Sequence, residues 1–129
     1  MSTYLLTLVG VALSGAVGAV ARYLVDGAVS ERTGGSFPWG TLVVNATAAF
    51  LLGLAFAFFQ TRIGGIPVWL RTTILTGLIG TYSTFSTLTL ETLTLLQSGS
   101  YLLGAANILG SVAVGMLAVY GGTALGRAT

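Results

Sequence analysis

The chain is expected to fold as an all-α integral membrane protein with four transmembrane helices, the third broken near its middle. Three observations carry this. Of 129 residues, 54% are hydrophobic and 6% charged, whereas a soluble domain carries about a quarter charged residues. Four separate apolar segments each approach the roughly 20 residues that cross a hydrocarbon core of about 30 Å. One of them contains Gly77-Leu-Ile-Gly80-Thr-Tyr-Ser-Thr-Phe-Ser-Thr-Leu88-Thr-Leu-Glu91, a run of glycines, hydroxyls and one acid at membrane depth. Interrupted polar backbone survives there only where protein or a water-filled cavity surrounds it. Such breaks are where membrane transporters bind ions.

The first span is placed at Tyr4–Leu24. No basic segment precedes it, so a cleaved signal peptide is not expected. The second span, Trp39–Gln60, follows Pro38, and the third, Leu70–Gln97, begins soon after Pro67. Proline is tolerated in the first turn of a helix. The fourth span is Tyr101–Leu125, and the connections are Val25–Pro38, Thr61–Trp69 and Ser98–Ser100. Trp39, Trp69, Tyr4, Tyr23 and Tyr101 fall at span ends, where aromatic residues form interfacial belts. Small residues recur four apart in Gly10/Ser14/Gly18, Asn45/Ala49/Gly53 and Asn107/Ser111/Gly115. That spacing lets membrane helices approach closely, and so many small faces predict self-association. No linker divides the chain, so residues 1–129 are read as a single transmembrane domain.

Several function classes drop out. The chain has no cysteine and no histidine, which removes disulfides, thiol chemistry and the common zinc sites. It has no lysine for a nucleotide-binding phosphate loop. A net charge of +2, scattered over five arginines and three acids, makes no nucleic-acid surface. Glu91 has no second intramembrane acid to pair with, so no enzyme chemistry is expected. Four spans put Arg62, Arg71 and Arg127 on the side of the termini, and Arg22 and Arg32 on the other. Three against two is almost no orienting bias. Insertion in both orientations, giving an antiparallel dimer, is consistent with it.

With these features in place, the chain resembles the Fluc (CrcB) family of bacterial and archaeal fluoride channels along nearly its whole length. Gly15-Ala-Val-Gly18-Ala-Val-Ala-Arg22-Tyr23 is similar to the family's Gly-rich first helix. Pro38-Trp39-Gly40-Thr41-Leu42-Val-Val-Asn45 is similar to its second-helix entry, ending in the pore asparagine. Gly77 to Glu91 resembles its broken third helix, usually Gly-x-x-Gly-Gly-x-Thr-Thr-Phe-Ser-Thr-Phe-Ser-x-Glu. The resemblance implies a passive fluoride-selective channel in the cell membrane that relieves fluoride toxicity. It also implies an antiparallel dual-topology dimer with two pores. A structural sodium ion is expected at the dimer centre on the backbone carbonyls of Gly80 and Ser83. Oxygen-only ligation suits such a hard cation.

Fluoride is small and strongly hydrated, so a pore must replace its water with hydrogen-bond donors. Asn amides and Ser/Thr hydroxyls donate, while ionised carboxylates do not. Aromatic ring edges are weakly positive. The resemblance assigns donation to Asn45 and a ring edge to Phe85, with Ser111 in a polar track. Asn107 lies one turn before Ser111, so the two are placed in a donor ladder. Thr84 and Thr87 are kept as pore-lining donors, and the other third-helix hydroxyls as bonds to their own backbone. Glu91 and Arg22 are assigned to gating or a vestibule. The alternatives are ordinary ones: a helix-bridging amide at Asn45, a core ring at Phe85, a helix contact at Glu91 and interfacial anchoring at Arg22.

Three of the chain's departures from the family pattern bear on the site. Leu88 replaces the second phenylalanine, Thr81 the second glycine of the pair, and Ala48 the glycine after the pore asparagine. A shifted register pairs Tyr82 with Phe85 but loses the Gly77, Gly80 and Glu91 matches. Leu88 leaves two assemblies open: a homodimer with a weakened aromatic site, or a heterodimer in which a related subunit supplies the ring. A small multidrug-type transporter is a further alternative, but it resembles a mechanism with an acid in the first span, and none lies between Tyr4 and Leu24. A non-conducting membrane subunit is the last.

Overall fold

The computed structural model describes residues 1–62 and 64–129. Among the described residues six α-helical pieces follow one another: α1 Thr3–Thr33, α2 Trp39–Thr61, α3 Val68–Thr72, α4 Gly80–Tyr82, α5 Phe85–Gln97 and α6 Tyr101–Ala128. A π-helical segment, Thr73–Ile79, joins α3 to α4. Among the described residues three helices are long and apolar enough to cross a membrane, namely α1, α2 and α6. The pieces from Val68 to Gln97 form one further, bent helical run between α2 and α6.

α1 is longer than its apolar run. The first span was expected to end at Leu24, with a connection from Val25; the helix instead continues to Thr33. Its 31 residues extend about 46 Å, well beyond a core of about 30 Å. Hydropathy marks where lipid ends, not where helical bonding ends. The projecting turns hold local bonds: Ser30 Oγ donates to Asp26 Oδ1 at 3.4 Å and Arg32 Nη1 to the Ala28 carbonyl at 3.1 Å. Gly34, at φ 59°, stops the helix, in a conformation that glycine adopts without strain. Asp26 and Ser30 also lie against Gly40, so the projecting end braces the start of α2.

The helices pair by close backbone approach. α1 packs along the π segment: a Cβ on Gly77 would meet Ser14 and the Val11 backbone, and one on Gly18 would meet Thr81 and the Leu78 carbonyl. α2 runs alongside α6 in the same direction, with Gly53 against Val119 and Thr123, and Gly122 and Gly126 against the Leu54 backbone. The expected row Asn107/Ser111/Gly115 is only partly used. Asn107 and Ser111 are buried, while Gly115 has no neighbour for a Cβ. A step of four residues drifts about 40° around a helix, whereas eleven drift about 20°. Gly122 therefore shares the inward face of Ser111 and Gly115 turns away. Gly99, at φ 82°, makes the tight turn into α6, and Leu96 on α5 then lies against Gly104.

The third span breaks within the Gly77–Glu91 stretch, at Ser83 and Thr84. Both are extended, with ψ 159° at Ser83 and φ −149° at Thr84. Thr84 caps α5: its Oγ1 accepts from the Thr87 N–H at 3.2 Å, the usual role of threonine at a helix start.

Candidate functional site

The break is held from α2. Asn45 Nδ2 donates to the Thr84 carbonyl at 2.9 Å, and Asn45 Oδ1 accepts from the Thr84 N–H at 2.7 Å. One amide thus satisfies both backbone groups of a residue that has left the helix, which is what interrupted backbone requires at membrane depth. A primary amide has two N–H donors, so one remains beyond the Thr84 bond. Asn45 both bridges helices and faces the recess beside the break.

That recess has a volume of about 200 Å³ and is lined by Asn45, Ser83, Thr84, Phe85, Leu88, Ser111 and Val112. Of the residues singled out for the pore, Asn45, Thr84, Phe85, Leu88 and Ser111 are therefore brought together. Ser111 is 8% exposed and its Oγ has no partner, so a buried hydroxyl is free to donate into the space. Phe85 is 75% exposed, its ring at the outer edge. Leu88 is buried and forms an apolar wall. Thr87 stands behind this set: Thr84 Oγ1 donates to Thr87 Oγ1 at 2.9 Å.

Asn107 and Glu91 belong to a second polar layer. Asn107 is fully buried and donates from Nδ2 to Thr92 Oγ1 at 3.0 Å. Thr92 in turn donates to the Leu88 carbonyl at 2.8 Å. With the Thr92 proton engaged, only its lone pair faces Asn107, which fixes the amide nitrogen toward Thr92. Asn107 Oδ1 is left buried without a partner. Asn107 thus engages one N–H with Thr92 on the adjacent helix, while Ser111, one turn on, lines the recess. Glu91 Oε1 accepts from Thr41 Oγ1 at 2.7 Å and its Oε2 is buried without a partner. Glu91 also lines a separate hollow of about 270 Å³ with Ser36, Pro38 and Thr94.

On the other side of the break, Arg22 Nη1 donates to the Ser83 carbonyl at 3.4 Å, and Ser83 Oγ donates to the Gly80 carbonyl at 3.2 Å. Arg22 therefore reaches the break rather than only the interface. Thr41, Thr92 and the Tyr82–Thr47 hydroxyl pair, 2.9 Å apart, were not foreseen. Thr41 stands four residues before Asn45, a spacing that puts both on one helix face and was a usable signal. Thr92 had none, since it is one threonine among many.

The sequence model of the family described as CrcB-like protein, Camphor Resistance (CrcB), matches residues 9–123. The chain belongs to the CrcB family. Relatives of this family include the fluoride-specific ion channel FluC of Magnetococcus marinus, 49% identical over 91% of this chain and 94% of its own. That of Hahella chejuensis is 49% identical over 93% of this chain and 94% of its own. That of Rhizobium meliloti is 44% identical over 92% and 94%. The CrcB match spans every site residue named above, from Arg22 to Ser111.

Proposed function

We propose that this chain is a subunit of a passive fluoride channel of the cell membrane, a channel and not an enzyme. The observation that carries this is the recess at the helix break, lined by Asn45, which has a second N–H beyond its Thr84 bond, and by Ser111, whose hydroxyl is unpartnered. The start of α5 adds to it: the first N–H groups of a helix lack intrahelical partners and carry the positive end of its dipole. Donors without competing acceptors favour a small anion over water. The relatives named above as fluoride-specific channels make fluoride the ion of choice. Fluoride enters cells as the neutral acid and dissociates inside, so a passive anion leak suffices to remove it.

The pathway runs past Asn45, Ser111 and Thr84, with Phe85 presenting its ring edge at the outer rim. Because Phe85 is exposed in the single chain, a second copy completes the wall, inserted antiparallel, with two pores per dimer. The break also suits a structural sodium ion. The Gly80 and Ser83 carbonyls each accept one side-chain hydrogen bond, from Ser83 Oγ and Arg22 Nη1, and each has a second lone pair that a hard cation would take.

A second assembly is favoured by one specific observation. Leu88 lines the recess as an apolar wall, so a heterodimer with a related subunit would supply a ring where this chain has none. Fluoride efflux from liposomes holding the purified protein alone, with chloride as control, separates these outcomes. Fluoride-selective efflux supports the homodimer. Efflux only on addition of the related subunit supports the heterodimer, and proton-coupled drug exchange in place of fluoride flux rejects the channel altogether.

A further inference from the structure

A groove opens at the opposite end of the third span, away from the recess. It has a volume of about 220 Å³ and lies between the last turns of α2 and the α3–π segment. Its apolar walls are Phe56, Phe59, Val68 and Leu75. Its polar lining residues are Arg71, Gln60, Thr72 and Thr76.

These polar groups are unlike those elsewhere in the bundle. Thr73, Thr81, Thr92 and Thr123 all donate to backbone carbonyls. Among the described residues no side-chain hydrogen bond or ion pair is formed by Arg71, Thr72, Thr76 or Gln60. Arg62, the neighbouring arginine, is by contrast engaged: Nη2 donates to the Thr129 carbonyl at 3.0 Å and the guanidinium sits 4.0 Å from the Phe58 ring centre. The three acids of the chain lie elsewhere, Asp26 and Glu31 on the far end of α1 and Glu91 on α5. This end of the bundle carries Arg62, Arg71 and Arg127 with no carboxylate side chain to offset them.

We propose that the groove binds one anionic phospholipid, its phosphate on Arg71 and the first methylenes of an acyl chain between Phe56, Phe59 and Leu75. The order of groups along the groove fits that molecule. Arg71 stands at the start of the span, and Leu75 lies one turn deeper. Thr72 and Gln60 supply neutral donors beside the phosphate, as ester and phosphate oxygens need. A zwitterionic headgroup fits less well, since no acid stands near to receive its ammonium. A juxtamembrane arginine favours an anionic lipid by roughly fivefold.

The test uses the full chain in neutral detergent, with thermal unfolding followed on addition of phosphatidylglycerol, phosphatidylcholine or inorganic phosphate. Native mass spectrometry counts bound lipid and subunits in the same samples. Phosphatidylglycerol is expected to raise the Tm by several degrees over phosphatidylcholine and to be retained at one per chain, roughly fivefold better. Arg71→Gln should erase that preference while leaving the Tm in phosphatidylcholine unchanged. Arg127→Gln should keep it, and inorganic phosphate should have no effect. Filling the groove with Leu75→Trp should also erase it, giving a second readout if Arg71→Gln folds poorly. Equal shifts for both lipids would overturn the proposal. So would a preference that survives Arg71→Gln, one that Arg127→Gln removes equally, or a shift produced by inorganic phosphate. A change in subunit number on groove filling, without lipid loss, would assign the groove to a second copy instead. None of these outcomes depends on fluoride flux.

Discussion

The two halves of the third span meet different neighbours, and the buried polar groups at those contacts are treated in opposite ways. In the first half, every contact with α1 is close and satisfied. Ser14 Oγ donates to the Thr73 carbonyl at 2.9 Å, and Thr81 Oγ1 lies 2.7 Å from the Gly77 carbonyl and 3.0 Å from that of Gly15. Where the second half meets its neighbours, Glu91 Oε2 on α5 and, facing it from α6, Ser111 Oγ and Asn107 Oδ1 are buried and have no partner. A buried polar group without a hydrogen bond is costly. Where a fold keeps several on one side, those groups face water or a ligand; where it satisfies them all, they are scaffold. The break at Ser83–Thr84 is the boundary between the two regimes.

The largest effect should come from the scaffold half. Gly77→Val would drive a side chain into Ser14 and to within 3.0 Å of the Val11 Cα. Overpacking against backbone costs about 3 kcal/mol or more, so folded protein should be lost, as seen in the yield of monodisperse material. Recovery at wild-type yield and Tm would show that α1 is not the rigid support described here. Asn45→Leu should come next. It removes both bonds to Thr84, about 2 kcal/mol in a membrane interior, and it also removes a recess donor, so the Tm and fluoride efflux should fall together. A stable variant with normal flux would mean that the break needs neither.

Leu88→Phe tests the boundary itself. Leu88 is buried, so a larger ring is expected to cost about 1–3 kcal/mol while adding an aromatic edge to the recess. Raised efflux at a lowered Tm would match a site limited by its missing ring. Unchanged efflux would show that the leucine is tolerated. Ser111→Ala is the sharpest contrast. Its hydroxyl has no protein partner, so the Tm should move by less than the equivalent of about 0.5 kcal/mol while efflux drops several-fold. Ser14→Ala should do the reverse, losing about 1 kcal/mol with its bond to Thr73 and leaving efflux intact. If both variants behaved alike, the distinction between scaffold and pathway would collapse.

Much of this was legible beforehand, and for identifiable reasons. Apolar runs mark spans, and the glycines and hydroxyls around Ser83 marked the break, because lipid tolerates neither charge nor open backbone. Of the expected pore grouping Asn45, Thr84, Phe85, Thr87, Leu88, Asn107 and Ser111, the recess is lined by all but Thr87 and Asn107. The π segment was not legible: i→i+5 bonding has no composition of its own and is set by how α1 grips Gly77 and Thr81. The length of α1 was missed because its last turns lie outside the apolar run.

The sequence by itself determined a membrane chain of four traverses and the place where the third opens, since both follow from which residues lipid will accept. Only the tertiary structure decided how the polar side chains pair. A threonine on a helix reaches its own carbonyl four residues back or a neighbour across the interface with nearly equal ease. Which it does depends on how near the neighbouring helix comes. The neighbouring Thr92 thus engages Asn107, while no protein group engages the Ser111 hydroxyl.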